Sequence, residues 1–165
     1  MIDNQTASEA ATAPLLNTGK IVRCGEDEGV AVFGERVRAL LSRGDTRGQL
    51  SLHEVETPAG AGPPLHAHRD EDEIFIIQSG RYEFQIGAQC IEAEAGTVIF
   101  SPRQVPHSFC NIGDETARLL ILSLPGHCEE FFQRCAAEFA SGAPRAAAIS
   151  AIGSDHGISF PVSGE

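Results

Sequence analysis

His66 and His68 stand two residues apart in Pro63-Pro64-Leu65-His66-Ala67-His68, and an acidic run, Asp70-Glu71-Asp72-Glu73, follows at once. On extended backbone, residues two apart share a face, so both imidazoles can address one point. A turn through residues 69–72 carries Glu73 onto the neighbouring strand as a third donor. His107, just past the Pro-marked turn Ser101-Pro102-Arg103-Gln104-Val105-Pro106, supplies a fourth from another strand. Three imidazoles and one carboxylate form a mixed nitrogen and oxygen set. It suits Fe(II), Mn, Ni, Cu or Zn and is foreign to the all-oxygen sites of Ca or Mg. A plainer reading stands beside it, in which the two histidines are a solvated pair and the acids a charged turn.

Positioning these residues requires strands. Short runs with two-residue alternation recur between Gly, Pro and Asp turns, the pattern of an all-β sandwich or barrel. The expected strands are Val37–Ser42, Gln49–Glu56, Glu73–Gln78, Arg81–Ile86, Gln89–Glu94, Thr97–Phe100, His107–Asn111 and Ala117–Leu124. After Pro125-Gly126 the apolar period becomes helical, with acids in the first turn, which predicts a helix over about 127–139 capping the β core. Residues 1–18 are expected to be a flexible arm, 19–140 a single domain that includes this helix, and 141–165 a weakly ordered tail rich in small residues.

The chain has 165 residues, 12 Lys+Arg against 23 Asp+Glu, and a net charge of −11. That field excludes nucleic acid and anionic membrane surfaces as natural partners, since both need clustered basic residues. No apolar run is long enough to span a bilayer and the opening residues lack a basic start, so a cytoplasmic protein is expected. The five cysteines, Cys24, Cys90, Cys110, Cys128 and Cys135, form no C-x-x-C pair and are expected as reduced thiols with no catalytic role. Of the six histidines, His53 has an undetermined face and is taken as structural, His127 as neutral and structural, and His156 as part of the tail.

Gly60, His66, His68, Glu73 and Gly80 fall at the spacing of one signature motif, and Gly96, Pro102, His107 and Asn111 at that of a second. Over residues 60–111 the chain resembles the cupin superfamily. One position departs: Gln104 stands where the family usually has Gly, which bears on a tight turn and touches no ligand. The resemblance implies a double-stranded β-helix, the cupin jelly-roll barrel, holding one divalent transition metal on His66, His68, Glu73 and His107. Glu73 must then point inward, with Phe75 and Ile77 on its face, while Phe109 and Asn111 share the face of His107. Ile74 and Ile76 point outward and need a cover. The superfamily habit implies a homodimer at that surface; the arm or the 127–139 helix is the alternative cover.

The run Pro63-Pro64-Leu65-His66 through Asp72-Glu73, the approach Val105-Pro106-His107 and the segment Glu129-Glu130-Phe131-Phe132 look most like the small single-domain bacterial proteins grouped with quercetin 2,3-dioxygenase. That resemblance implies a metal-dependent dioxygenase of quercetinase type acting on a small aromatic substrate. Glu73 would accept the substrate's hydroxyl proton, its basicity depending on an apolar cavity that raises it. Phe75, Ile77, Tyr82, Phe84, Phe100 and Phe109 are the expected cavity residues, with simple barrel core as their plainer role. The second reading is a non-catalytic metal-containing cupin that binds or senses a small molecule, favoured by a narrow, dry cavity. A cupin transcription factor needs a further DNA-binding domain and basic charge, and metal-free sugar epimerase cupins lack the full ligand set.

Overall fold

Polar and apolar residues alternate through Arg81–Ile86, and in the computed structural model this strand buries Tyr82 and Phe84 while Arg81, Glu83 and Gln85 face outward. The same period recurs along the chain and closes it into a double-stranded β-helix with helices at its C-terminal end. The structure describes residues 19–23 and 28–161; the expected arm at 1–18, Cys24 and residues 162–165 lie outside them.

The strands are β1 (Val30–Val32), β2 (Glu35–Leu41), β3 (Ser51–Thr57), β4 (Ala67–His68), β5 (Asp72–Ser79), β6 (Arg81–Ile86), β7 (Gln89–Glu94), β8 (Val98–Ser101), β9 (His107–Asn111) and β10 (Ala117–Leu124). Helices α1 (Cys128–Ala140) and α2 (Ala146–Asp155) follow, then a short β11 (Ile158–Ser159). One sheet runs β1-β2-β3-β10-β5-β8, a second runs β7-β6-β9, and β11 pairs with β4. The pairings are antiparallel throughout, so each inward residue meets an inward partner across the ladder: Phe75 faces Ile121 and Ile99, and Phe84 faces Phe109.

The core lies between the two larger sheets. Phe75, Tyr82, Phe84 and Phe109 form an aromatic cluster with ring centroids 5.2 to 6.0 Å apart. Val55, Ile77, Ile99 and Leu119 pack around it. Fully burying a side chain of this size contributes about 1.5–3 kcal/mol, so these few residues dominate the stability of the barrel. Gly80 turns β5 into β6 at φ 84°, and a Cβ there would stand 2.3 Å from that of Ala117. A glycine is therefore required on both conformational and steric grounds.

The outer face of the large sheet has two halves. Across β2, β3 and β10 it is ionic, with Arg38 reaching Glu54 at 3.2 Å and Glu56 at 3.1 Å, and Arg118 reaching Glu56 at 3.2 Å. Across β5 and β8 it is apolar: Ile74 and Ile76 are half-buried, Val98 is 63 % exposed and Phe100 58 %. Phe100 is thus an outward residue. It pairs with Ile74 because Ser101, not Phe100, is the inward partner of Glu73. The expectation that Phe100 lines the cavity is corrected by this register.

Residues 146–159 differ from the weakly ordered tail expected there. Helix α2 buries Ile149 and Ile152 at helical spacing, and Ile158 is buried where β11 pairs with β4. Three isoleucines among many small residues suffice because α1 offers them an existing surface, on which Phe131 and Cys135 are also buried.

Candidate functional site

The short β4 places His68 inward, and His66 forms a bridge to His107 on β9 through paired backbone hydrogen bonds of 3.0 and 2.8 Å. Glu73 enters from β5, whose partner strands β8 and β10 supply Ser101 and Ser123 at the same level. The four side chains converge: one ligand atom from each of His66, His68, Glu73 and His107 lies within 4.8 Å of all the others. Their ring centroids are 4.4 Å apart for His66 and His107, and 5.2 Å for His66 and His68. The Nε2 atoms of His107 and His68 lie 2.7 and 3.4 Å from Glu73 Oε2.

Hydrogen bonding fixes how the imidazoles present themselves. His66 Nδ1–H donates to the Pro64 carbonyl at 2.9 Å, and His68 Nδ1–H to Glu71 Oε2 at 2.9 Å. His107 Nδ1–H donates to the Val105 carbonyl at 3.0 Å, with Ser101 Oγ 2.9 Å away. With every Nδ1 engaged by a protein oxygen, each ring is oriented through that atom and its Nε2 is the nitrogen that would ligate a metal. Opposed ligands of a first-row metal sit about 4–4.4 Å apart, given bonds of about 2.0–2.2 Å. The residues therefore fit a divalent transition metal.

The electrostatics agree. Burial, with His107 and His68 nearby, pushes the His66 imidazole down to about 3, leaving it neutral. Burial alone would lower His68, but the carboxylates of Glu73 and Glu71 outweigh it and raise the imidazole. Burial would raise Glu73, yet His68 and His107 overcome it and hold the carboxyl at about 2. Glu73 is thus an ionised carboxylate. The expectation that the apolar cavity lifts its basicity is not met, because the two neighbouring imidazoles outweigh desolvation.

A cavity of about 40 Å³ opens beside this cluster, walled by Phe33, Val37, Val55, Phe75, Phe109 and Ile121 and closed by Phe131, Phe132 and Phe160. Of the expected cavity residues, Phe75 and Phe109 line it. Ile77, Tyr82 and Phe84 are buried in the core away from its wall, and Phe100 is on the outer surface. The aromatic closure from the C-terminal elements was not anticipated, since nothing in the spacing of 131, 132 and 160 ties them to the barrel mouth.

Three polar groups were also missed. Glu71, read as part of a charged turn, is 3 % exposed and holds His68. Cys128 is buried at the cavity wall with its Sγ 3.1 Å from Glu71 Oε2, and burial together with the nearby carboxylates raises its thiol well above the usual range. Glu35, at the start of β2, is 6 % exposed and lines the same cavity. Burial raises its carboxyl to about 8, against one favourable contact of 2.8 Å from Thr57 Oγ1, which Tyr82 in turn approaches at 3.2 Å. Period-two reasoning from Glu73 back to Glu71 would have placed Glu71 inward; no such signal marks Glu35. His53 is fully buried against Phe132, with no hydrogen-bond partner on either ring nitrogen among the described residues, and burial lowers it to about 4. Its imidazole is neutral.

Comparison with known proteins points the same way. A family model described as "Cupin domain" matches residues 53–123. An uncharacterized protein of Methanocaldococcus jannaschii is 32% identical over 98 residues, which is 59% of this chain and 78% of that protein. Among solved structures, a predicted oxalate decarboxylase from Thermotoga maritima superposes with a TM-score of 0.60 at 23% identity, covering 64% of this chain and 99% of the other. An RmlC-like cupin from Shewanella frigidimarina gives 0.57 at 19% identity, covering 68% and 96%.

Proposed function

This chain belongs to the cupin superfamily, and from that premise we propose that it is a metal-dependent dioxygenase of quercetinase type acting on a small aromatic molecule. The observation that carries the reading is the convergence of three imidazoles, each anchored through Nδ1, with an ionised carboxylate at the wall of an apolar cavity. His66, His68, Glu73 and His107 would hold the metal, which would supply a Lewis-acid and redox centre for substrate and O2. Phe75 and Phe109 give the substrate an apolar wall, and Glu73, kept ionised by its imidazole neighbours rather than raised by the cavity, is the base proposed for its hydroxyl proton. The burial that closes the cavity keeps water from the reacting atoms.

The cavity size decides what must move. A cavity of roughly 150 Å³ seats a benzene ring, and this one is about 40 Å³. Substrate entry on this reading requires Phe131, Phe132 or Phe160 to yield. The same narrowness favours the second reading, a metal-containing cupin that binds or senses a small ligand without turnover. Purified protein loaded anaerobically with Fe(II), Mn, Ni or Cu should consume O2 with a flavonol or catechol compound. Metal-replete protein showing no uptake across such a panel contradicts the dioxygenase and leaves the binding module.

The apolar half of the outer face, with Ile74, Ile76, Val98 and Phe100, is the contact of a homodimer. Helix α1, one alternative cover, packs mainly on β1 and α2 instead. Among the described residues no helix is long and apolar enough to cross a membrane, and Cys90, Cys110, Cys128 and Cys135 are free thiols.

A further inference from the structure

A buried carboxylate needs compensating donors, and those of Glu71 come from two separate elements. Its Oε2 accepts the Nδ1–H of His68 at 2.9 Å and the thiol of Cys128 at 3.1 Å, while its Oε1 accepts the backbone N–H of His127 at 2.7 Å. His127 is the N-cap of α1, yet its own side chain makes no capping bond. The first turn of a helix presents unpaired N–H groups and a positive dipole end. Glu71, supplied from the loop between β4 and β5, caps α1 in place of the helix's own residue.

The helix so capped is the one that closes the cavity. Phe131 and Phe132 of α1 stand at its wall, and Phe131 stacks on Phe160 at 6.5 Å. The far end of the same unit is tied to the same strand: Ile158 pairs with His68, and Arg69 N–H donates to the Gly157 carbonyl at 2.7 Å. The segment from α1 to β11 therefore grips the His66-x-His68 strand twice, once through Glu71 and once through β11.

We infer that Glu71 is a positioning residue that couples the metal centre to α1, so that filling the centre fastens the helix that closes the cavity. This rests on reading His66, His68, Glu73 and His107 as a metal centre. A metal ion on Nε2 of His68 makes its Nδ1–H a stronger donor, which strengthens the bond to Glu71 and favours the position of Glu71 that also caps α1. The coupling is reciprocal: whatever factor metal adds to docking of α1, docked α1 adds to metal affinity. For a group that holds a ligating histidine the factor is about 10–100.

Co(II) alone is the probe, added to the metal-free full chain. Hydrogen exchange in the first turn of α1 slows about tenfold or more when Co(II) binds the wild type. In Glu71→Gln, which keeps the side chain's size but offers one acceptor oxygen in place of two, Co(II) affinity falls about 10–100-fold. Saturating Co(II) then leaves exchange in α1 unchanged, and the Co(II) visible spectrum shifts as His68 loses its orientation. A merely structural role would weaken α1 equally with and without metal. Wild type that takes up no Co(II) overturns the metal centre and the coupling together. Wild type that binds Co(II) with exchange in α1 unchanged, or Glu71→Gln that binds as tightly as wild type, overturns the coupling alone.

Discussion

Two buried glutamates in one cavity are driven in opposite directions, and the difference lies in their neighbours. Glu73 has imidazoles beside it and stays ionised, at about 2. Glu35 has one hydroxyl and apolar walls, and its carboxyl rises from 4.5 to about 8. Between these two values the folded chain holds a proton that the unfolded chain has released. The stabilisation is therefore complete below about 4.5 and is lost as pH climbs towards 8. Glu35→Gln removes the titrating group while keeping its shape. Its stability relative to wild type should improve by on the order of 3 kcal/mol between about pH 5 and pH 8. Urea titrations of both proteins at the two pH values measure this, and an unchanged difference contradicts the burial argument. An acid opening a strand reads from sequence as a solvent-facing residue, which is why Glu35 was not legible there.

At the scale of elements, the turn before β9 carries the chain's departure from the second motif. Gln104 adopts φ 67°, the left-handed region where a Cβ costs about 1–2 kcal/mol. Its N–H nonetheless donates to the His68 carbonyl at 2.7 Å, so the strained turn braces the ligand strand. Gln104→Gly relieves the strain but adds freedom to the unfolded chain. A net gain of about 0.5–1 kcal/mol is expected, with metal affinity unchanged. Thermal unfolding monitored with and without metal checks it, and a loss of stability contradicts it. Four strands were legible with their bounds: Arg81–Ile86, Gln89–Glu94, His107–Asn111 and Ala117–Leu124 recur unchanged. β4 was not, because two residues carry no periodicity; its existence depends on β11 and α2, whose isoleucines become informative only once α1 is in place. The placement of Phe100 failed for a related reason, since a strand's parity is set by its partner, and here Ser101 pairs with Glu73.

Across the whole molecule, charge and apolar surface are segregated on one sheet face, the ionic half satisfying itself through Arg38, Glu54, Glu56 and Arg118. The apolar half holds Val98 and Phe100 at 63 % and 58 % exposure, and a second copy of the chain is the occupant proposed for it. Phe100→Glu places a charge at the centre of that contact and should convert a dimer into a monomer by light scattering, with little change in stability. A monomeric wild type contradicts the dimer. The metal centre is the proposal on which the other functional statements depend, and the convergence of its four residues was legible in the sequence because H-x-H spacing puts two imidazoles on one face and the two motifs bring Glu73 and His107 to them. Its most direct test is metal analysis of protein purified without chelator, wild type beside His66→Ala. The convergence of His66, His68, Glu73 and His107 predicts about one transition-metal ion per chain in the wild type and a content near zero in the variant. Equal metal content in the two proteins would contradict it.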